Sequence, residues 1–197
     1  MESHNNMADF YQEHFESYYE KTAHIDPASF LEPLARQLSP GARILDIGCG
    51  SGRDMRWFKE RGFELRGFER STGLAGFARR HSGCEVVVGD FRYYDFRTMP
   101  ADAVLLVGAL VHIAHREVPG VLSRVTAGLK PGGKVLLTLK QGDGVHRDGF
   151  GRLFYLWHDT EIRGAFEHLG FSILDYRVQT SKVNADDTWL GYVLAKD

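Results

Sequence analysis

Residues 43–54 place a glycine-rich turn between a strand pattern and a helix pattern, and this stretch constrains the fold more than any other. Arg43–Ile47 is a short apolar run with β-branched residues, which is typical of a buried strand. Glycines follow at positions 48, 50 and 52, and Met55 to Lys59 begin a helix. Because glycine has no Cβ, the backbone of such a turn can approach a ligand closely, and free N–H groups at the helix start point toward it. We therefore expect a ligand site at this turn.

The residues around the turn restrict the kind of ligand. The dinucleotide fingerprint requires G-x-G-x-x-G, but here the third glycine is one residue early and Arg53 fills the last position; the Gly-Lys-Ser/Thr of a phosphate loop is also missing. Asp46 lies two residues before the first glycine, where a carboxylate would repel a pyrophosphate and attract an ammonium group. S-Adenosylmethionine fits, since it carries a nucleoside, an amino group, a carboxylate and a sulfonium but no phosphate. The alternative is a turn that serves only strand–helix packing.

The composition favours a small-molecule ligand. The chain has 197 residues, 43% of them apolar, and its 24 basic and 26 acidic residues give a net charge of −2, so nucleic acid is an unexpected partner. Cys49 and Cys84 form no disulfide framework and no metal-ligand spacing. The sequence contains no apolar run as long as a membrane helix, and its start does not resemble a signal peptide. We expect one cytoplasmic domain without a metal, as a monomer or weak homodimer.

The order of apolar runs predicts an α/β sheet with helices on both faces. Beyond the first strand, strands are predicted over residues 63–69, 84–88, 101–107, 134–139, 171–178 and 188–194. Helices are predicted over residues 52–61, 70–81, 116–129 and 159–170. The polar turn 180–187 is too short for a parallel crossover, so the last strand should run antiparallel in a mostly parallel seven-stranded sheet. Residues 1–197 should be a single domain, with a helical cap or lid over 1–40 and the core over 41–197.

Acidic residues end the second and third predicted strands. Glu69 lies 17 residues after Gly52, about the distance at which a strand–helix–strand unit brings an acid to a ribose. Its carboxylate could accept a hydrogen bond from each of the two ribose hydroxyl groups. Asp90 and Phe91 follow the third strand, and an acid beside an aromatic residue suits an adenine. The alternatives are a solvated acid at a strand end and an ordinary Gly-Asp turn.

The N-terminal segment 7–21 is rich in aromatic residues. Phe10, Phe15 and Tyr18 fall on one helical stripe. This stripe predicts a helix that packs on the core as a lid, an aromatic wall that closes over the ligand, or both. A second helix should begin at Asp26 and Pro27.

His112 follows the fourth strand, at the sheet edge where ligands of open α/β sheets bind. A histidine pKa suits a general base at neutral pH, although a buried structural histidine fits the same pattern. His115 is three residues further on, but no third ligand accompanies the pair, so a metal site is not expected.

Residues 140–155 combine four glycines with several cationic side chains. This composition predicts a mobile loop over the substrate, and its positive balance favours an anionic group on that substrate, with Arg147 or Arg152 as a bidentate partner. A solvated flexible hairpin is the alternative. The candidate substrate-binding residues are His112, Lys140, His146, Arg147, Arg152 and Tyr155.

The chain resembles the class I S-adenosylmethionine-dependent methyltransferases over nearly its whole length. The stretch Asp46-Ile-Gly-Cys-Gly-Ser-Gly is similar to their first motif, and Glu69, Asp90-Phe91, the Leu129-Lys-Pro-Gly-Gly turn and the terminal hairpin match in turn. The resemblance implies a Rossmann-like fold, S-adenosylmethionine as cofactor and S-adenosylhomocysteine as product. The implied cofactor-binding residues are Tyr19, Thr22, Asp46, Gly48, Cys49, Gly50, Arg53, Glu69, Arg70, Asp90, Phe91 and Gly108.

The chain is also similar to a narrower group of small prokaryotic members, mostly without an assigned substrate. Tyr19-Glu-Lys-Thr22 and Val111-His112-Ile113 carry this likeness, but Glu69 stands where the group tends to have Asp. The Asn-Pro-Pro-Tyr signature of amino-methylating DNA and protein-glutamine enzymes is missing after the fourth strand, and two cysteines are too few for arsenic methylation.

The resemblance implies transfer of a methyl group from S-adenosylmethionine, and we expect O or N of a small molecule as the acceptor. The positive balance of residues 140–155 favours an anionic acceptor, and the place of His112 at the sheet edge makes it the candidate catalytic residue. A module that binds S-adenosylmethionine without turnover, as a sensor or as support for a partner, is the alternative. A nicotinamide-dependent reductase is disfavoured by Asp46, by the glycine spacing and by the terminal hairpin.

Overall fold

The computed structural model describes residues 10–197 as alternating helices and strands. The helices are α1 (Phe15–Thr22), α2 (Ala28–Ala35), α3 (Arg53–Lys59), α4 (Thr72–Ser82), α5 (Val118–Val125) and α6 (Asp159–His168). The strands are β1 (Arg43–Ile47), β2 (Glu64–Glu69), β3 (Glu85–Val88), β4 (Ala101–Val107), β5 (Leu129–Lys140), β6 (Val145–Arg147), β7 (Leu153–Tyr155), β8 (Phe171–Thr180) and β9 (Thr188–Lys196).

Seven strands form one sheet in the order β3-β2-β1-β4-β5-β9-β8. Strand β9 pairs antiparallel with both β5 and β8, whereas the neighbouring pairs from β3 to β5 are parallel. The mostly parallel sheet with an antiparallel last strand is therefore confirmed. Its cause is the short turn after β8, which allows a hairpin and no crossover.

Helices cover both faces of this sheet. On one face, α5 and α6 pack on residues such as Leu106 and Leu137, and on the other, α2 and α3 pack on Leu105 and Leu136. Neighbouring residues of one strand thus belong to opposite cores, which explains why the central strands read as continuous apolar runs.

Three elements differ from the sequence-based boundaries. The helix predicted over 116–129 is a short 3-10 turn, His115–Glu117, followed by α5, which ends at Val125. Strand β5 begins at Leu129 instead of residue 134, with a register shift against β4 that accommodates the Pro-Gly-Gly sequence. Residues 140–155 contain two strands that were not among those predicted, β6 and β7, and their antiparallel pairing forms the hairpin that was the alternative to a mobile loop.

The N-terminal helix predicted over 7–21 is interrupted. Residues 10–13 are helical, the chain bends at His14, and α1 continues from Phe15. Residues 7–9 of the predicted helix, and residues 1–9 of the predicted cap, lie outside the described residues. The second helix begins one residue later than predicted: Pro27 is its N-cap and Ala28 its first residue, and Asp26 accepts a hydrogen bond from the Ala28 amide at 3.0 Å just before it.

Candidate functional site

The carboxyl ends of β1, β2 and β4 meet at one edge of the sheet, and two adjoining cavities open there. The first cavity lies among Gly48, Glu69, Arg70, Asp90, Phe91 and His112. The second lies between the glycine turn, the start of α2, the β8–β9 turn and the segment 142–157, which we call the hairpin. Gly48, Gly50 and Gly108 line both cavities, so the two spaces share one wall.

Two glycines of the turn have backbone conformations that other residues adopt only with strain. Gly48 has φ +73°, and a Cβ there would lie 3.0 Å from the Cβ of Ala109. Gly50 has φ +52°, and a Cβ would lie 3.3 Å from the Tyr18 ring. A side chain at either position would be strained and would crowd the shared wall, so the sequence pattern of the turn serves the cavities directly.

Asp46 is a buried carboxylate that lacks a partner on one oxygen. Its side chain is 2% exposed, and its Oδ2 has no hydrogen-bond partner among residues 10–197. Burial raises the pKa of Asp46 well above its ordinary value, and the carboxylates of Asp54 and Glu69 raise it further, against the opposing charge of Arg53. A buried carboxylate in this state is completed by a cation.

The neighbouring carboxylates of this acidic cluster, which comprises Asp46, Arg53, Asp54 and Glu69, do have partners. Arg53 Nε donates to Asp54 at 2.7 Å. Glu69 accepts hydrogen bonds from the amides of Gly50 at 2.9 Å, Arg70 at 2.8 Å and Ser71 at 2.9 Å. Because a carboxylate offers about four acceptor positions, Glu69 retains about one for a ribose hydroxyl, instead of the two that its position in the sequence indicated.

Asp90 is committed to Arg92. The guanidinium donates to both carboxylate oxygens, the shortest bond being 2.6 Å, and the Arg92 amide donates at 2.9 Å. Burial would raise the pKa of Asp90, but these hydrogen bonds outweigh it and lower the pKa. Asp90 therefore faces the first cavity as one half of an ion pair, which its sequence context did not indicate.

Most residues that the resemblance implied for a cofactor line one of the two cavities. Thr22, Cys49 and Arg53 line the second cavity. Tyr19 is outside both cavities as the described residues form them: its ring stacks on Phe77 at 4.5 Å, and its hydroxyl bonds to His81 at 3.1 Å. Asp46 lies beneath the turn and lines neither cavity of the described chain.

Tyr11 and Tyr18 line both cavities. The sequence indicated Tyr18 only as part of the aromatic stripe, and it did not indicate Tyr11. Their rings meet edge to face at 5.2 Å between centroids. Tyr18 belongs to the aromatic stripe, so the wall predicted from that stripe points to it; Tyr11 lies beside the stripe. Phe15, on the same stripe, packs instead against Phe77 of α4.

His112 lies in the wall of the first cavity with both ring nitrogens engaged. Its Nδ1 lies 2.6 Å from the Leu153 carbonyl oxygen, and its Nε2 lies 2.9 Å from the Tyr11 hydroxyl. Because a carbonyl only accepts, Nδ1 carries the proton, and Tyr11 donates to Nε2. Burial lowers the pKa of His112 to about 4, so the ring is neutral at pH 7 and offers a lone pair.

The substrate-binding residues predicted in segment 140–155 divide into two groups. Lys140, His146 and Arg152 line the second cavity, whereas Arg147 and Tyr155 line neither cavity of the described chain. Lys140 pairs with Asp187 at 2.6 Å, and Arg152 pairs with Asp148 at 2.7 Å. Lys140 and Arg152 therefore already have carboxylate partners.

Residues 44–133, which run from β1 into β5 and contain the glycine turn, match the model of the family described as "Methyltransferase domain". The seven-stranded sheet with its antiparallel last strand agrees with that match. Residues 44–133 carry a methyltransferase domain.

Relatives of this methyltransferase domain carry different names. The probable tRNA methyltransferase 9B of Mus musculus is 30% identical over 131 residues, which are 63% of this chain and 29% of that protein. The ubiquinone biosynthesis O-methyltransferase of Xanthomonas axonopodis pv. citri is 33% identical over 116 residues, which are 55% of this chain and 47% of that protein. The chain thus spans less than half the length of these two relatives.

A solved structure shows the same fold over the whole length of the chain. The magnesium protoporphyrin IX methyltransferase of Synechocystis PCC 6803, crystallised with bound S-adenosylmethionine, superposes with a TM-score of 0.77 at 14% identity, covering 100% of this chain and 98% of that one. Among residues 10–197, no helix has the length and apolar character to cross a membrane. The same residues bring together no cluster of His, Cys, Asp and Glu suited to a metal ion.

Proposed function

We propose that this chain transfers a methyl group from S-adenosylmethionine to an oxygen or nitrogen atom of a small molecule. The unpartnered Oδ2 of Asp46, buried beneath the glycine turn, is the observation that carries this proposal. The α-amino group of S-adenosylmethionine is a cation of the kind that this oxygen lacks. The left-handed glycines provide the close backbone approach that its amino-acid portion requires.

The charges around the turn fit the same ligand. The acidic cluster holds three carboxylates against one guanidinium, so a ligand with a sulfonium and an amino group improves its balance. In the first cavity, Glu69 would take a ribose hydroxyl, while Phe91 and the Asp90–Arg92 pair would border the adenine. Tyr11 and Tyr18 would cover the junction of the two cavities.

The bound cofactor would supply a methyl carbon that the sulfonium already activates, so the chain has to align the acceptor and exclude water. His112 contributes a neutral ring whose Nε2 lone pair faces Tyr11 at the first cavity. We propose His112 as the group that accepts the acceptor's proton, through rearrangement of its bond to Tyr11.

The acceptor belongs in the second cavity. The net charge of −2 and the enclosed position favour a small molecule over a nucleic acid, although one relative is named for tRNA. An anionic acceptor would have to compete with Asp148 for Arg152 or with Asp187 for Lys140. These pairs reduce the support that the sequence lent to an anionic acceptor. A monomer or weak homodimer in the cytoplasm remains our prediction.

The alternative is a domain that binds S-adenosylmethionine and never turns it over. It shares every cofactor contact, so geometry at the glycine turn does not separate the two. His112, in the wall of the first cavity, has both ring nitrogens hydrogen-bonded, as a structural histidine would, so turnover has to separate the enzyme from the binding module.

Calorimetric titration with S-adenosylmethionine, S-adenosylhomocysteine and NADH tests the proposal. We expect micromolar affinity for the two adenosyl ligands and none for NADH. Absence of adenosyl binding would refute both the enzyme and the binding module. A subsequent screen of phenols, carboxylates, amines and short RNA, with formation of S-adenosylhomocysteine as readout, separates them, because a binding module forms none with any acceptor.

A further inference from the structure

The N-terminal segment crosses the ligand edge of the sheet as a strap, which we define as residues 10–22. One side of the strap is tied to the beginning of α4. Ser71 Oγ donates to the Tyr11 carbonyl at 2.9 Å, and the Gln12 amide group exchanges hydrogen bonds with Thr72 at 2.9 and 3.0 Å. Because Tyr11 and Tyr18 line both cavities, the strap forms their common roof.

The other side of the strap contacts the hairpin through Arg152 and through the ring of Phe150, which lies 5.1 Å from that of Phe10. Arg152 makes the central contact. Its guanidinium carbon lies 4.0 Å from the centroid of the Phe10 ring and 5.1 Å from that of Phe154, so it sits between a strap ring and a hairpin ring. Its Nη1 lies 3.4 Å from the Tyr11 hydroxyl. The flat face of a guanidinium is suited to such stacking, which an ammonium group does not reproduce.

The remaining donors of Arg152 fix its position on the hairpin. Nε donates to Asp148 Oδ2 at 2.7 Å, and the pair is 18% exposed on each side. Asp148 Oδ1 also accepts from the amides of Phe150 and Arg152, at 3.0 and 2.9 Å, which shapes the hairpin tip. Arg152 thus presents a prepositioned flat cation to the strap, and its charge is neutralised before any ligand arrives.

We propose that Arg152 is a positioning residue, which pins Phe10 and Tyr11 to the hairpin and so holds the strap closed over both cavities and the Tyr11 hydroxyl against His112. This inference deepens the proposed function and rests on it for the identity of the enclosed ligand. It replaces the anion clamp that the sequence indicated for Arg152 with a role that needs no acceptor.

Two consequences distinguish a pin from a clamp. A pin governs the strap in the ligand-free protein, and it governs how quickly a ligand leaves the roofed cavity, because the strap has to open before release. An anion clamp would change only the concentration of acceptor that the enzyme needs. The measurements below therefore use the protein without any acceptor.

The test compares Arg152→Ala and Phe10→Ala with the wild type and with Arg163→Ala as a matched control. Arg163 of α6 makes the same type of i,i+4 pair, with Asp159. Its guanidinium carbon lies 5.1 Å from the centroid of the Tyr176 ring, which belongs to β8 and not to the strap. Hydrogen–deuterium exchange of residues 10–22 is measured without ligand, and dissociation of S-adenosylhomocysteine is measured by stopped flow.

We expect both strap variants to accelerate exchange in residues 10–22 by at least tenfold and to accelerate dissociation of S-adenosylhomocysteine by about tenfold. Arg163→Ala should match the wild type in both. Since Arg152→Ala also removes the Asp148 pair, Phe10→Ala, which leaves that pair intact, guards against loss of the hairpin fold as an explanation.

Unchanged exchange of the strap in Arg152→Ala would overturn the pin, whatever the rate of S-adenosylhomocysteine dissociation. Faster exchange in Phe10→Ala alone would assign the closure to the contact between the Phe10 and Phe150 rings instead. Faster exchange with unchanged dissociation would also overturn it, because the strap would then not be the gate. If the wild type failed to bind S-adenosylhomocysteine, the proposed function would fall, and the exchange experiment would still decide separately whether Arg152 pins the strap.

Discussion

The two walls of the site, one at the glycine turn and one across the second cavity, differ in whether their charged side chains have partners. Beneath the glycine turn, Asp46 is buried with one oxygen unpartnered among the described residues, and the turn itself requires left-handed glycines. Across the second cavity, Lys140 and Arg152 have carboxylate partners at 2.6 and 2.7 Å. The first wall is complete only with a ligand, whereas the second is satisfied without one. An incomplete wall therefore identifies the ligand's chemistry, and a complete wall gives little information about the acceptor.

The largest effect should come from removing the unmet charge, with Asp46→Asn. We expect affinity for S-adenosylhomocysteine to fall at least ~100-fold, because a buried charge contact to the amino group is lost. The free energy of unfolding of the ligand-free protein should rise by about 1–3 kcal/mol at pH 7, since the buried charge is gone. Isothermal calorimetry and urea unfolding measure the two effects.

The sign of this stability change depends on pH. The raised pKa of Asp46 means that the folded chain keeps a proton which the unfolded chain releases above about pH 4. The penalty from Asp46 therefore grows as pH rises, and Asp46→Asn should stabilise more at pH 8 than at pH 5. On the opposite wall, Asp187→Asn should lower the free energy of unfolding, because it leaves the largely buried Lys140 without its carboxylate partner. Equal signs for the two variants would contradict the contrast between the walls.

A smaller effect should come from the backbone of the incomplete wall, with Gly48→Ala. The positive φ and the 3.0 Å approach to Ala109 both oppose a Cβ, so we expect a loss of about 1–3 kcal/mol in the free energy of unfolding and about tenfold in affinity for S-adenosylhomocysteine.

Gly144→Ala, in the hairpin, is the matched control. Gly144 has φ +63°, but a Cβ there would meet nothing within 4 Å among the described residues. Strain alone should cost about 1 kcal/mol of stability and leave the affinity unchanged. Retention of full affinity by Gly48→Ala would show that the ligand does not approach this turn.

His112 lies in the wall of the first cavity, and its titration gives an intermediate effect. Its pKa is about 4 in the folded chain and about 6.5 when unfolded, so protons bind the unfolded chain first as pH falls. Stability from the neutral ring is therefore lost between about pH 7 and pH 4. Relative to His112→Gln, the wild type should lose about 1–2 kcal/mol between pH 7 and pH 5, measured by urea unfolding at each pH. A difference that does not vary with pH would place the pKa of His112 near its ordinary value.

The sequence predicted the elements that are fixed by local chemistry. The Asp46 motif, the strand-end acid Glu69 and the antiparallel hairpin after β8 follow from glycine conformation, apolar runs and loop length, and the sheet confirms the resulting fold. These features depend on residues close together in the chain, which is why a linear reading captures them.

The sequence did not predict contacts made by distant residues. Tyr11 and His112 are 101 positions apart, and Lys140 and Asp187 are 47 apart, so no local pattern announces either pair. The positive balance of residues 140–155 indicated an anionic substrate because the partner of Lys140 lies outside that segment. Charge counted over a segment is therefore informative only after its distant partners are known.

The smallest effect separates the complete wall from the rest of the surface. The Lys140–Asp187 pair is 13% and 27% exposed, whereas the Arg66–Glu85 pair is 45% and 61% exposed. Double-mutant cycles to alanine, followed by urea unfolding, should give a coupling energy of about 1–2 kcal/mol for the first pair and below about 0.5 kcal/mol for the second. The difference arises because water and salt screen the exposed pair. If both cycles gave the smaller value, the acceptor wall would be free to exchange its carboxylates for an anionic ligand, and the anionic acceptor would regain support.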